Sequence, residues 1–184
     1  MTRRRPRTDT IYTLLDEMAA SPVQPLSADK QAYQIGMMRE GLRALQHDAE
    51  PAQGAWLICA DAVNFFETLV IQGVAQDPQG LLDDAVAALA RAGERFKIHG
   101  PTALRLDGPG LHAVTAVLDD WAEVISQLPA RTVVRCLRVT EQRMRALRNG
   151  HRTARDVRVM DIAEVSGLST RPPCYRADFD GEKQ

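Results

Sequence analysis

Aromatic side chains are scarce in this chain, at 5% of 184 residues, and neither sign of charge is in strong excess over the whole, since the formal net charge is -1. The balance removes any global electrostatic reason to bind a polyanion. Cysteine is sparse too. Cys59, Cys136 and Cys174 are odd in number and have no short spacing, which excludes a zinc-ribbon pattern and a disulfide framework and points to a reducing, cytoplasmic setting. The four histidines, His47, His99, His112 and His151, stand far apart without ligand spacing, so no metal site is expected. Phosphate-binding glycine loops and nucleophile elbows are missing as well. The doublets Asp83-Asp84 and Asp119-Asp120 are adjacent on helices, about 100° apart, and do not converge as an acid/base pair. The reading is a non-enzyme without cofactors. The most apolar stretch, residues 55–75, is interrupted by Asp61, Asn64 and Glu67, so no membrane span is expected, and the basic start of the chain is followed by charges where a signal peptide needs an apolar run.

What is abundant is alanine, leucine and arginine, which lean the chain towards helix. Apolar periodicity predicts an all-α helical bundle of five to six helices. A first helix is expected over 9–20 with Ile11, Leu14, Leu15 and Met18 on its inner face. A second follows Ser27 as N-cap and runs to His47, with Tyr33, Met37, Met38, Leu42 and Leu45 inward. Residues 52–74 are apolar almost all round, with Asp61, Asn64, Thr68 and Gln72 as a narrow polar edge. That composition suits the middle of a bundle with one thin side wet. Helices over 79–98, 110–128 and 130–149 complete the set, the fifth with Asp107 or a glycine near its cap. Trp56 and Trp121 fall on apolar faces. The alternating segments 102–106 and 156–160 are candidates for a minor two-stranded ribbon. The expected organisation is a basic N-terminus over 1–8, one helical domain over 9–164 with a sub-boundary near 99–101, and a tail over 165–184.

The charge distribution is uneven. Between Arg131 and Arg158 nine arginines face only Glu141 and Asp156, a surplus of seven. On one continuous helix Arg131, Arg135, Arg138 and Arg145 fall within roughly 80° of each other, opposite Val133, Cys136, Leu137, Met144 and Leu147. Guanidinium groups are permanently charged and fork onto phosphate oxygens. One reading is therefore a nucleic-acid interface made of Arg131, Arg135, Arg138, Gln142, Arg143, Arg145, Arg148, Arg152 and Arg155. The competing reading pairs Arg135 and Arg138 with Asp119, Asp120 and Glu123 across an antiparallel hairpin turning at Pro129, as exposed ion pairs of little energetic weight. Arg143, Arg148, Arg152 and Arg155 find no partner in that hairpin. The run Arg3, Arg4, Arg5 and Arg7 reads either as a phosphate-binding arm or as a solubilising terminus. Asp107 to His112 offers an anion site or, more simply, a cap.

Val133, Leu137, Val139, Met144 and Leu147 also have the spacing of buried positions in a helix-turn-helix. Val139-Thr140 stands where that motif opens its second helix, Asn149-Gly150-His151-Arg152 is similar to the segment that often follows, and residues 161–169 are similar to a later helix. Residues 131–169 thus resemble a lambda-repressor/Cro-like DNA-binding domain. The resemblance implies that Glu141, Gln142, Arg143 and Arg145 would face the major groove. The chain departs from the pattern at Arg138, where glycine is usual in the turn, and at Val134, where a small residue is usual. One unbroken helix is the alternative.

Together these observations predict a non-enzymatic, nucleic-acid-associated accessory or regulatory protein, of the kind carried by bacteria and their mobile elements. Its partner would be DNA or RNA. The alternative is a helical protein-interaction module with an acidic or other protein partner and no direct nucleic-acid contact. Self-association is compatible with either.

Overall fold

A computed structural model describes residues 11–148, with side chains described through Ala146. Six α-helices and one 3-10 turn occur among them, with no strand: α1 (Leu14–Ala19), α2 (Ala28–His47), α3 (Gln53–Ile71), α4 (Leu82–His99), the 3-10 turn Pro101–Leu104, α5 (Gly108–Gln127) and α6 (Ala130–Arg148). The all-α expectation holds.

α3 is the centre. Trp56, Phe65, Phe66 and Leu69 are fully or almost fully buried. Each such side chain removed from water contributes about 1.5–3 kcal/mol. Trp56 satisfies its one polar atom by donating Nε1–H to the Leu89 carbonyl of α4 at 2.9 Å. By length and composition α3 could cross a membrane, contrary to the expectation from its three polar interruptions, but most of it is buried inside the bundle.

α2, α4, α5 and α6 pack around α3. α2 approaches closely because Gly41 has no side chain: a Cβ there would meet the Ala55 carbonyl oxygen at 3.0 Å and the Cys59 Sγ at 3.5 Å. Its inner face is Gln34, Met38, Gly41, Ala44 and Leu45, while Tyr33, expected inside, is exposed. α4 and α5 form the most extensive helix pair. Their crossing is tight at Gly110, where a Cβ would stand 2.8 Å from the Ala88 Cβ.

Caps define the ends. Asp107 accepts the Gly110 N–H at 2.8 Å and starts α5, as its position in the sequence predicts. Asp77 accepts the Leu81 and Leu82 N–H groups at 3.2 and 3.1 Å ahead of α4. Gly100, at φ 77°, ends α4 in a conformation that side chains disfavour. The segment 102–106 is not a strand. Pro101 sets the φ of a helical turn, Leu104 is driven fully into the core, and the Arg95 guanidinium donates to the carbonyls of Ala103 and Arg105. Its expected strand partner, 156–160, lies outside the described residues, as do the expected basic terminus 1–8 and tail 165–184.

α1 is shorter than predicted and turned over. Thr13 and Asp16 form a reciprocal capping box, so the helix starts at Leu14 rather than near residue 9. Tyr12, Glu17 and Ala20 are buried, whereas Leu14, Leu15 and Met18 point to solvent. α1 packs chiefly on α6.

Candidate interface along helix α6

α6 begins where the loop before α2 meets it. The Ala130 and Arg131 N–H groups, which have no acceptor within their own helix, donate to the carbonyls of Gln24 and Ser21 at 2.8 and 2.9 Å. From there Val133, Val134, Cys136 and Leu137 sink into the core. The helix runs through Arg138 without interruption, and no non-glycine residue among those described has a positive φ. The turn that a helix-turn-helix needs is therefore replaced by one continuous helix. The stretch expected to form the motif's later helix lies outside the described residues.

The arginine stripe is present in order but not bare. Arg131 donates from Nε to the Ala20 carbonyl and from Nη2 to the Met18 carbonyl, both at 3.1 Å. Those carbonyls stand at the C-terminal end of α1, where no following turn supplies an N–H. Arg135 Nε meets Glu17 Oε1 at 2.8 Å, and Arg138 reaches Glu17 Oε2 from Nη2 at 2.8 Å and from Nε at 3.1 Å. Hydrogen bonding from Arg135, partly opposed by burial, and then the Arg138 guanidinium hold the Glu17 carboxyl below its ordinary value. Further along, Glu141 accepts the Ile11 N–H with both oxygens, at 3.1 and 3.2 Å, and approaches Arg145 at 4.0 Å.

The expected hairpin pairing is not formed. α6 leans on α1 and α3 rather than on α5, so Asp119, Asp120 and Glu123 do not serve Arg135 and Arg138. Burial, reinforced by Asp77, Glu123 and Asp119, instead pushes the Asp120 carboxyl up.

Arg143 is the largest departure from expectation. Its side chain is only 8% exposed and bonds Glu67 Oε2 at 2.8 Å and Thr68 Oγ1 at 2.7 Å. The Thr140 hydroxyl lies 2.8 Å from that of Thr68, which donates to the Asn64 carbonyl at 3.0 Å. Asn64 Nδ2 is 3.8 Å from the Met144 sulfur. The polar edge of α3 is wet only towards its ends, with Asp61 half-buried and Gln72 exposed; Asn64 and Thr68, together with Glu67, lie buried beneath α6, where a matching polar stripe covers them. A signal for this was available. Val133, Cys136, Thr140, Arg143 and Leu147 follow a 3-4-3-4 spacing, so Arg143 shares a stripe with residues read as core. Glu67 is one of two acidic residues, with Asp61, in the most apolar helix.

Of the nine arginine and glutamine positions singled out, Arg131, Arg135 and Arg138 line the seam with α1, Arg145 stands beside Glu141 of its own helix, Arg143 is internal, and Gln142 is exposed. The side chain of Arg148, with Arg152 and Arg155, lies outside the described residues. No group of three or more His, Cys, Asp or Glu placed to hold a metal ion occurs among the described residues. The sequence reasoning missed Glu17, which it placed on no face at all, and the outward display of Leu14, Leu15 and Met18. Compared with known proteins, the chain matches no family model, no curated protein and no solved structure.

Proposed function

We propose that the protein is a helical protein-interaction module, an adaptor or a small subunit, that docks through α1 without using the α6 arginines for direct nucleic-acid contact in this closed form. The observation that carries the reading is the inverted polarity of α1. Leu14, Leu15 and Met18 are 58%, 75% and 64% exposed, followed by Val23 at 80%, while the glutamate of the same helix is buried. Three large apolar groups at positions i, i+1 and i+4 form one contiguous face. Such a face on a soluble helix suits insertion into a partner's groove. The arginine run Arg3, Arg4, Arg5 and Arg7 precedes this helix in the chain, so the partner of matching chemistry is a protein with an apolar groove and an acidic rim.

The test uses the full chain with a photo-crosslinker at position 15, followed by reconstitution with the purified crosslinked protein. The Leu14→Ser/Leu15→Ser variant is expected to keep the wild-type melting profile and to bind that protein at least ten-fold more weakly. Equal binding by the double variant would remove α1 as the docking element. Sedimentation velocity of both forms covers self-association. A dimer lost in the double variant makes the occupant a second copy and overturns the heterologous reading.

A further inference from the structure

The seam between α1 and α6 brings two guanidiniums onto one carboxylate. Arg135 and Arg138 both grip the single carboxylate of Glu17, and Arg131 before them is satisfied by main-chain carbonyls of α1. Arg145 continues the line beyond Glu141. The four guanidiniums follow one stripe of α6 over about 21 Å.

We propose that this stripe is a binding site for the phosphate backbone of a nucleic-acid strand, closed here by α1, with the Glu17 carboxylate standing where phosphate oxygens would be held. Three features support the assignment. The geometry around Glu17 is that of a double guanidinium grip on an oxyanion, and the same donors fit a phosphate. The cations form a row with about 6, 4.5 and 10.5 Å of helix rise between successive members, which matches a chain of anions better than a single one. The covering element is also a weak one. A six-residue helix has no stability alone, and α1 is held to α6 largely by these polar contacts and by burial of Tyr12. The Ser21 and Gln24 carbonyls bonded at the start of α6 give the segment a fixed end from which to lift. The outward apolar face of α1 supplies a handle for release. Only that role of the handle rests on the proposed docking function; the arginine site does not.

The experiment is fluorescence anisotropy of a labelled single-stranded oligonucleotide at low salt, with the full-length protein. Glu17→Gln is expected to bind at least ten-fold more tightly than wild type, with affinity falling steeply as salt rises. Adding Arg135→Gln and Arg138→Gln is expected to return binding to the wild-type level, because the terminal arginines are common to all forms. No gain in Glu17→Gln, with its circular dichroism unchanged, overturns the proposal. If Glu17→Gln does not fold, hydrogen exchange on wild type decides. Saturating oligonucleotide should speed exchange at Ile11, Tyr12 and the α1 amides, and unchanged exchange overturns the site. A singly phosphorylated serine peptide binding Glu17→Gln as well as the oligonucleotide does overturns the backbone assignment. Leu14→Ser/Leu15→Ser placed on the Glu17→Gln background should leave oligonucleotide affinity unaltered, so failure of the docking reading and failure of this one are read separately.

Discussion

Arg143 and Glu67 illustrate how a charged residue becomes structural. Both are buried, they face each other at 2.8 Å, and Thr68 takes a second donor of the guanidinium. Removing one partner leaves the other charge in a poorly solvating interior. Arg143→Ala is therefore expected to lower the urea-unfolding free energy by about 3–5 kcal/mol. The combined replacement Arg143→Met with Glu67→Leu should recover most of that loss, because neither charge then remains to be desolvated. Asp120 behaves oppositely. Its carboxyl is raised by burial and by Asp77, Glu123 and Asp119, so its ionised form opposes folding. Stability is gained as pH falls through that raised value and lost as it rises. Asp120→Asn should accordingly raise the melting temperature at neutral pH and have little effect in acid, as differential scanning calorimetry at two pH values would report.

At the scale of the element, α1 is the part of the fold most dependent on charge. The Glu17 carboxyl is depressed below its ordinary value of 4.5 by Arg135 and Arg138. Its contribution is present above that ordinary value and is lost as pH falls through the depressed one. Hydrogen exchange at residues 11–20 should rise in that acid range before the α3 and α5 amides are affected. α4 and α5 depend on shape instead. Gly110→Val places side-chain atoms against Ala88 and the capping Asp107. A loss of about 1–3 kcal/mol is expected on urea unfolding, from overpacking and the displaced cap.

For the molecule as a whole, the bundle is closed over the thiols of Cys59 and Cys136. Burial pushes Cys59 up to about 12 and Cys136 up to about 11. Both are sealed from solvent among core side chains. In a Cys174→Ser background, labelling by a thiol reagent should proceed only at the rate of opening and accelerate with urea in parallel with global unfolding. Fast labelling in native buffer would mean that α3 and α6 separate locally.

Much of the architecture was readable in the chain. Helix-forming composition, 3.6-residue periodicity and caps such as Asp107 act locally, so the six helices, the apolar character of α3 and the core placement of Trp56 and Trp121 follow from sequence alone. The arginine stripe of α6 was legible for the same reason. Which acids answer those arginines was not. Glu17 lies 118 residues from Arg135 along the chain, and Glu67 lies 76 from Arg143. Their pairing exists only because α6 packs on α1 and α3 instead of folding back on α5. Periodicity also could not orient α1: six residues carry too little pattern, and the side that packs on α6 is the one that brings Glu17 to Arg135 and Arg138 and buries Tyr12 and Ala20. Local propensity thus determined the helices, while long-range packing and desolvation decided which faces they show.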